Sequence, residues 1–244
     1  MKKICIYGKG GIGKSTVVAN VAAAAARDGK HVMVVGCDPK ADTTRVLVHG
    51  RMETILDAHA RTGGVGLTLA DVAREGVFGV LCMESGGPRA GEGCAGKGIA
   101  LALQDIRQLG VVEAFQPDLI LFDVLGDVVC GGFSTPLRAK VADTAYIVTT
   151  SDYMSIYAAN NICGCIRKHA DRGGCRLGGL IFNERSALSD STPVEVFARA
   201  IGSGVIGRIP QDDAISRAEL TRRTVIESAP DAPSADAFAG LARF

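Results

Sequence analysis

The run Gly8-Lys9-Gly10-Gly11-Ile12-Gly13-Lys14-Ser15 follows an apolar stretch, Ile4–Tyr7, and opens an alanine-rich one, Ser15 to Asp28, that Gly29 closes. Strand, glycine loop and helix in that order are what a phosphate site needs. Glycines let backbone N–H groups curl around phosphate oxygens, and the helix N-terminus adds its partial positive charge. The spacing G-x-x-x-x-G-K-[ST] assigns Lys14 to the β- and γ-phosphates and the Ser15 hydroxyl to Mg²⁺. Gly8-x-Gly10-x-x-Gly13 also satisfies a dinucleotide fingerprint, with Asp38 where a ribose-binding carboxylate would sit. Lys14-Ser15 has no role in such a site. The strand Leu119–Phe122 moreover delivers Asp123, followed by Val124-Leu125-Gly126-Asp127, which reads as a metal-side carboxylate running into a phosphate-sensing turn. The pattern selects ATP or GTP with Mg²⁺ over NAD.

Outward from this loop, apolar strands alternate with helical patterns. Strands are expected at His31–Cys37, Val80–Glu84, Asp118–Phe122, Ala145–Thr150, Leu177–Asn183 and Val205–Ile209. The clearest helices are Ile99–Gln108, Ser155–Asp171 and Pro193–Ile201. Continuous apolar strands separated by helices imply a mostly parallel sheet covered on both faces. The expected fold is therefore α/β of the P-loop NTPase type, a single domain over 1–244. With 27 Lys plus Arg against 26 Asp plus Glu, the net charge of +1 excludes a broad attraction to nucleic acid or anionic membrane. No apolar run reaches the roughly 20 residues of a membrane helix. The chain enters structure at its start, so no signal peptide is expected and the setting reads as cytoplasmic.

After the second strand, Asp38-Pro39-Lys40-Ala41-Asp42 sets two carboxylates around a lysine at a sheet edge where ligands bind. One carboxylate can orient the attacking water, the other can support the metal shell, and Lys40 can stabilise γ-phosphate charge. The composition holds 31 glycines in 244 residues and 8 cysteines, and disulfides are not expected in a reducing compartment. Cys5, Cys37 and Cys82 read as core residues. Cys163 and Cys165 on a helix point to different faces, so a metal clip with Cys175 is disfavoured. Cys94 and Cys130 differ, because Gly91-Glu92-Gly93-Cys94-Ala95-Gly96 and Cys130-Gly131-Gly132 let backbone approach a cluster closely. A [4Fe–4S] cluster needs four thiolates, and a two-fold homodimer would supply two from each chain. On spacing alone, two ordinary loop cysteines remain the other reading.

IYGKGGIGKST, VGCDPKAD, ESGGP, GCAGKG, FDVLGDVVCGGF, YAANNI and RLGGLIFNER together resemble the nitrogenase iron proteins and the reductase components of nitrogenase-like enzymes. The resemblance implies a homodimeric ATPase with one [4Fe–4S] cluster ligated by Cys94 and Cys130 of each subunit. It implies ATP/ADP and Mg²⁺ contacts from Gly8, Lys9, Gly10, Gly11, Ile12, Gly13, Lys14, Ser15 and Thr16. In the deviant P-loop ATPases a lysine at the position of Lys9 reaches the neighbouring subunit's nucleotide. Asp38, Lys40 and Asp42 match a first switch, and Asp123, Gly126 and Asp127 a second, with Asp38 or Asp127 orienting the hydrolytic water. Asn183, Gln211, Asp212 and Glu219 fall where the family holds adenine and ribose. Cys130 follows Asp127 by three positions, so the phosphate-sensing turn would run straight into the cluster loop.

Family members pass an electron from ferredoxin or flavodoxin to a larger heteromeric partner, gated by ATP hydrolysis. Lys97 stands where most nitrogenase iron proteins carry arginine, the chain stops at Phe244, and the region 189–204 diverges. These departures favour a nitrogenase-like paralogue, such as a methylthio-alkane or tetrapyrrole reductase system, over the dinitrogen-fixing protein. A partitioning or positioning ATPase without redox chemistry is the competing class. It shares the loop but not the Cys94 and Cys130 stretches.

Overall fold

The computed structural model describes residues 1–87, 95–126, 134–138, 141–186 and 188–243. The element order is β1 (Lys2–Tyr7), α1 (Lys14–Arg27), β2 (Val32–Gly36), α2 (Ile55–Thr62), α3 (Leu69–Val72), β3 (Arg74–Glu75), β4 (Leu81–Glu84), α4 (Ala95–Gln108) and α5 (Val111–Phe115). It continues with β5 (Leu119–Asp123), β6 (Thr144–Thr149), α6 (Tyr153–Ala170), β7 (Arg176–Asn183), α7 (Thr192–Ala200), β8 (Val205–Ile209), α8 (Asp213–Leu220), α9 (Val225–Ser228) and α10 (Pro233–Leu241).

Among the described residues eight strands join one sheet in the order β3-β4-β2-β5-β1-β6-β7-β8, and of these only the two-residue β3 runs antiparallel, on β4. Residues along each strand alternate between two cores, as a pleated backbone requires. Ile4, Ile6, Val32, Val34, Leu119 and Leu121 face a layer with α1 and α10. Cys5, Tyr7, Met33, Val35, Ile120 and Phe122 face the opposite layer, with Ile99 and Ile106 of α4 and Ile162 and Ile166 of α6. The alanine run Ala22–Ala26 is buried and lets α1 lie close to the sheet and to α10. Gly29 ends α1 at φ +89°, with Lys30 N–H bonding Ala25 O and Gly29 N–H bonding Ala26 O. That bonding pattern needs a left-handed residue, which glycine adopts without a Cβ clash.

The parallel sheet, covered on both faces, agrees with the sequence expectation. The strand order was not readable from periodicity, and it is what locates the site. From β1 the chain moves to β2 on one side, returns to β5 beside β1, and then crosses to β6 on the other. The C-terminal end of β1 is thus the point where the order reverses, the crevice where open α/β sheets bind ligands.

Candidate functional site

The loop from β1 into α1 borders a cleft of about 460 Å³. Lys9, Gly10, Gly11, Gly13, Lys14, Ser15 and Thr16 line it, together with Asp38, Lys40, Asp42, Asn183, Gln211, Asp212 and Glu219. Gly8, Ile12, Asp123 and Gly126 from the expected set lie behind its wall instead. Gly8 and Ile12 are buried, the first packed beneath Val148. Asp127, Cys94 and Cys130 lie outside the described residues, as does the side chain of Lys97.

The loop's shape is fixed from two directions. Gly13 caps α1 at φ +92°, and a Cβ there would fall 2.5 Å from Asn183 Nδ2. Asn183 in turn donates to Ile12 O at 2.7 Å, and Arg185 donates to Gly11 O. Arg185 was not among the residues singled out from sequence, although its pairing with the loop puts it at the cleft. From the other side Gly126 backs onto Gly8, so closely that any Cβ on Gly126 would overlap the Gly8 carbonyl.

Lys14 is buried and pairs with Asp123, which is fully buried. Burial alone would lower the Lys14 ammonium, but the Asp123 carboxylate, helped by Asp38 and Asp42, holds it above the ordinary lysine value. The second oxygen of Asp123 accepts from Thr43 Oγ1 at 2.7 Å. Asp38 is also buried, and its Oδ1 accepts from Lys40 N–H at 3.0 Å, which shapes the turn. Partial burial, with Asp38 and Asp123 nearby, raises the Asp42 carboxyl. Lys9 is only loosely held, 3.9 Å from Asp152 with both side chains well exposed, a pair of little energetic weight.

The C-terminal contributors divide by what their atoms already do. Asp212 accepts from Ala214 N–H, capping α8, and from both the N–H and hydroxyl of Ser234. Those bonds, the Ala214 one foremost, hold its carboxyl below the usual range. Asp212, which lines the cleft beside Gln211, thus anchors α8 and α10. Glu219 accepts from Thr16 Oγ1 at 2.7 Å and ties α8 to the start of α1.

A second unforeseen residue is Glu84, at the end of β4. It is fully buried; its Oε1 accepts from Thr44 N–H at 2.7 Å and from Thr44 Oγ1 at 2.8 Å. Its Oε2 has no hydrogen-bond partner among the described residues. Burial pushes the carboxyl up to about 8, against the lowering effect of the Thr44 bonds. A charged residue ending an otherwise apolar strand was the available signal. The sign of the consequence follows from proton linkage. Between the ordinary glutamate value of 4.5 and about 8 the folded chain holds a proton that the unfolded chain releases, so stability falls as pH rises through that window. The Tm of the wild type relative to Glu84→Gln is expected to decline from about pH 5 to about pH 8. A difference independent of pH would show that Glu84 does not hold the proton.

Five of the other cysteines are poor thiolate donors. Burial raises the thiols of Cys5, Cys37 and Cys82, pushes Cys163 up to about 11, and raises Cys165. Among the described residues no group of three or more His, Cys, Asp or Glu is arranged to hold a metal ion. No described helix is long and apolar enough to cross a membrane.

Comparison with known proteins supplies the remaining constraint. A family model described as 4Fe-4S iron sulfur cluster binding proteins, NifH/frxC family, matches residues 2–244. A protein of Methanococcus voltae named nitrogenase iron protein is 51% identical over 242 residues, 99% of this chain and 87% of its own. Among solved structures, the cell division ATPase MinD of Pyrococcus furiosus superposes with a TM-score of 0.76 at 20% identity, over 99% of this chain and 97% of its own. A ParA family ATPase from Chlorobium tepidum gives 0.74 at 21% identity, over 100% and 98%. At that identity the likeness shows the fold alone.

Proposed function

The chain belongs to the NifH/frxC family of 4Fe-4S iron sulfur cluster binding proteins, and from that premise we propose that it is an ATP-dependent electron-transfer reductase. In this reading two copies form a cytoplasmic homodimer whose Cys94 and Cys130 thiolates hold one [4Fe–4S] cluster between them. A ferredoxin or flavodoxin loads it, and a heteromeric catalytic component of the nitrogenase type receives single electrons. The bound cluster supplies a one-electron redox centre.

One observation carries the reading. Parallel strands β4 and β5, on either side of β2, end at the sheet edge that carries the phosphate loop, and in sequence they are followed by Cys94 and Cys130. The raised thiols elsewhere support those two cysteines as the ligands. In the cleft, loop N–H groups and Lys14 hold the phosphates of ATP, and Ser15 holds Mg²⁺. Asp38 or Asp127 orients the water, and Lys40 offsets charge that grows on the γ-phosphate. Asn183 and Gln211 face the nucleoside, with Glu219 positioning Thr16. Lys9, loosely paired on the surface, is available to the nucleotide of a second copy. Asp127, three positions before Cys130 in sequence, carries the phosphate state to the cluster loop. Lys97 and the divergent region 189–204 support a nitrogenase-like partner over the dinitrogen-fixing one.

The anaerobically purified protein is expected to be brown and to give an S = 1/2 EPR signal after dithionite. Cys94→Ser and Cys130→Ser should each abolish it. A wild type that stays colourless after anaerobic iron–sulfur reconstitution would refute the reading in favour of a partitioning-type ATPase.

A further inference from the structure

The segment Asp38–Thr44, which carries the first-switch residues, is bonded to β4 near one end and packs against the chain leaving β4 near the other. At one end Thr44 gives its N–H and its hydroxyl to Glu84 Oε1, at 2.7 and 2.8 Å. At the other, Gly87 lies so close to Pro39 that a Cβ on Gly87 would be 2.5 Å from Pro39 Cβ. Between these points Ser85 N–H bonds Gly36 O at 2.8 Å, holding the strand exit beside the end of β2, two residues before the switch. The carboxyl of Glu84 occupies space that only a glycine at position 36 leaves open, since a Cβ there would overlap Oε2.

The neighbouring threonine makes the matching link to the nucleotide side. Thr43 Oγ1 donates to Asp123, whose other oxygen pairs with Lys14 of the phosphate loop. Adjacent residues of one segment therefore grip two strands: Thr43 grips β5 and Thr44 grips β4. In sequence β5 continues to Asp127 and Cys130, and β4 continues through Ser85-Gly86-Gly87 to Cys94.

We propose that Glu84 is a positioning residue that latches the first switch onto the strand leading to Cys94, giving the nucleotide a second route to the cysteine loops, separate from the one through Asp127. This rests on the proposed role of Cys94 as a cluster ligand. Burial of an unpartnered carboxylate oxygen is costly, so its retention beside the switch is consistent with a positioning role. The neutral acid, favoured by burial, adds no further negative charge to the cluster of Asp38, Asp42 and Asp123. The latch thus holds through a shared acceptor oxygen and needs no ionised Glu84.

Hydrogen–deuterium exchange of the anaerobically purified full chain, with and without saturating MgATP, tests this in two peptides, 85–94 and 124–132. In the wild type both are expected to change exchange rate with MgATP. Glu84→Ala should reduce the response of 85–94 by about threefold or more while 124–132 keeps its own. Glu84→Gln retains the acceptor oxygen and should restore the response. An undiminished 85–94 response in Glu84→Ala, or equal loss in both peptides, would overturn the proposal. If Glu84→Ala does not yield folded protein, Thr44→Val removes the hydroxyl bond alone; its 85–94 response should weaken, and an unchanged one would overturn the latch. Iron analysis and EPR of the same wild-type sample report separately whether a cluster is bound.

Discussion

Lys14→Met is expected to cripple the protein twice over, in stability and in turnover. The ammonium and its partner Asp123 are 5% and 0% exposed, so the methionine would leave a buried carboxylate without a counter-charge. Removing one partner of such a pair costs about 3–5 kcal/mol, because the remaining charge is uncompensated. The bond from Thr43 satisfies only one oxygen. Turnover should fall by a further independent factor of about 10²–10³, the usual loss when one donor to developing charge is removed. The double variant Lys14→Met/Asp123→Asn separates the two effects: it should regain most of the urea midpoint while ATP hydrolysis stays lost. A single variant as stable as the wild type would mean that the pair does not hold the loop to β5.

Gly126→Ala is the second large effect, and it needs no charge. The added methyl would overlap the carbonyl of Gly8, whose own far side is packed against Val148. Neither backbone can yield without moving the phosphate loop. Overpacking of this kind costs about 1–3 kcal/mol. Since Gly8 lies directly behind the cleft wall and leads into Lys9 and Gly10, which line it, a shift of about 1 Å would lower ATP turnover by about 10²-fold. Gly164→Ala is the control: a Cβ there meets nothing within 4 Å in the middle of α6. It should stabilise the helix by about 0.5–1 kcal/mol and leave hydrolysis unchanged. ATP turnover in Gly126→Ala equal to that of the control would show that the second switch does not press on the loop.

These two residues show how unevenly the site was written in the sequence. The spacing from Gly8 to Ser15 specified the loop, because glycine, lysine and hydroxyl positions each answer to a phosphate or a metal. Gly126 was expected from its place after Asp123, but the reason it must be glycine is a contact with Gly8, 118 positions earlier in the chain. Glu84 and Thr44 were missed for the same reason: their bond spans 40 positions, and nothing in local pattern joins them. Asp212 shows the opposite difficulty. A carboxylate ahead of a short helix serves a cap or a ligand with the same local sequence, and only its bonds to Ala214 and Ser234 reveal the cap. The strand alternation was legible because burial on both faces leaves apolar runs, whereas the order of strands depends on crossovers that periodicity does not record. Cys94 and Cys130 stood out by their flanking glycines, and the resemblance gave them a shared ligand.

If nucleotide in the Lys14 cleft governs an iron–sulfur centre held by Cys94 and Cys130, the midpoint potential of the dithionite-reducible EPR signal should respond to MgATP. Measured anaerobically without nucleotide and with saturating MgATP, the potential should shift in the wild type and stay fixed in Lys14→Met/Asp123→Asn. A wild-type potential unmoved by MgATP, in protein shown to bind it, would mean that the cleft and the cluster are not coupled.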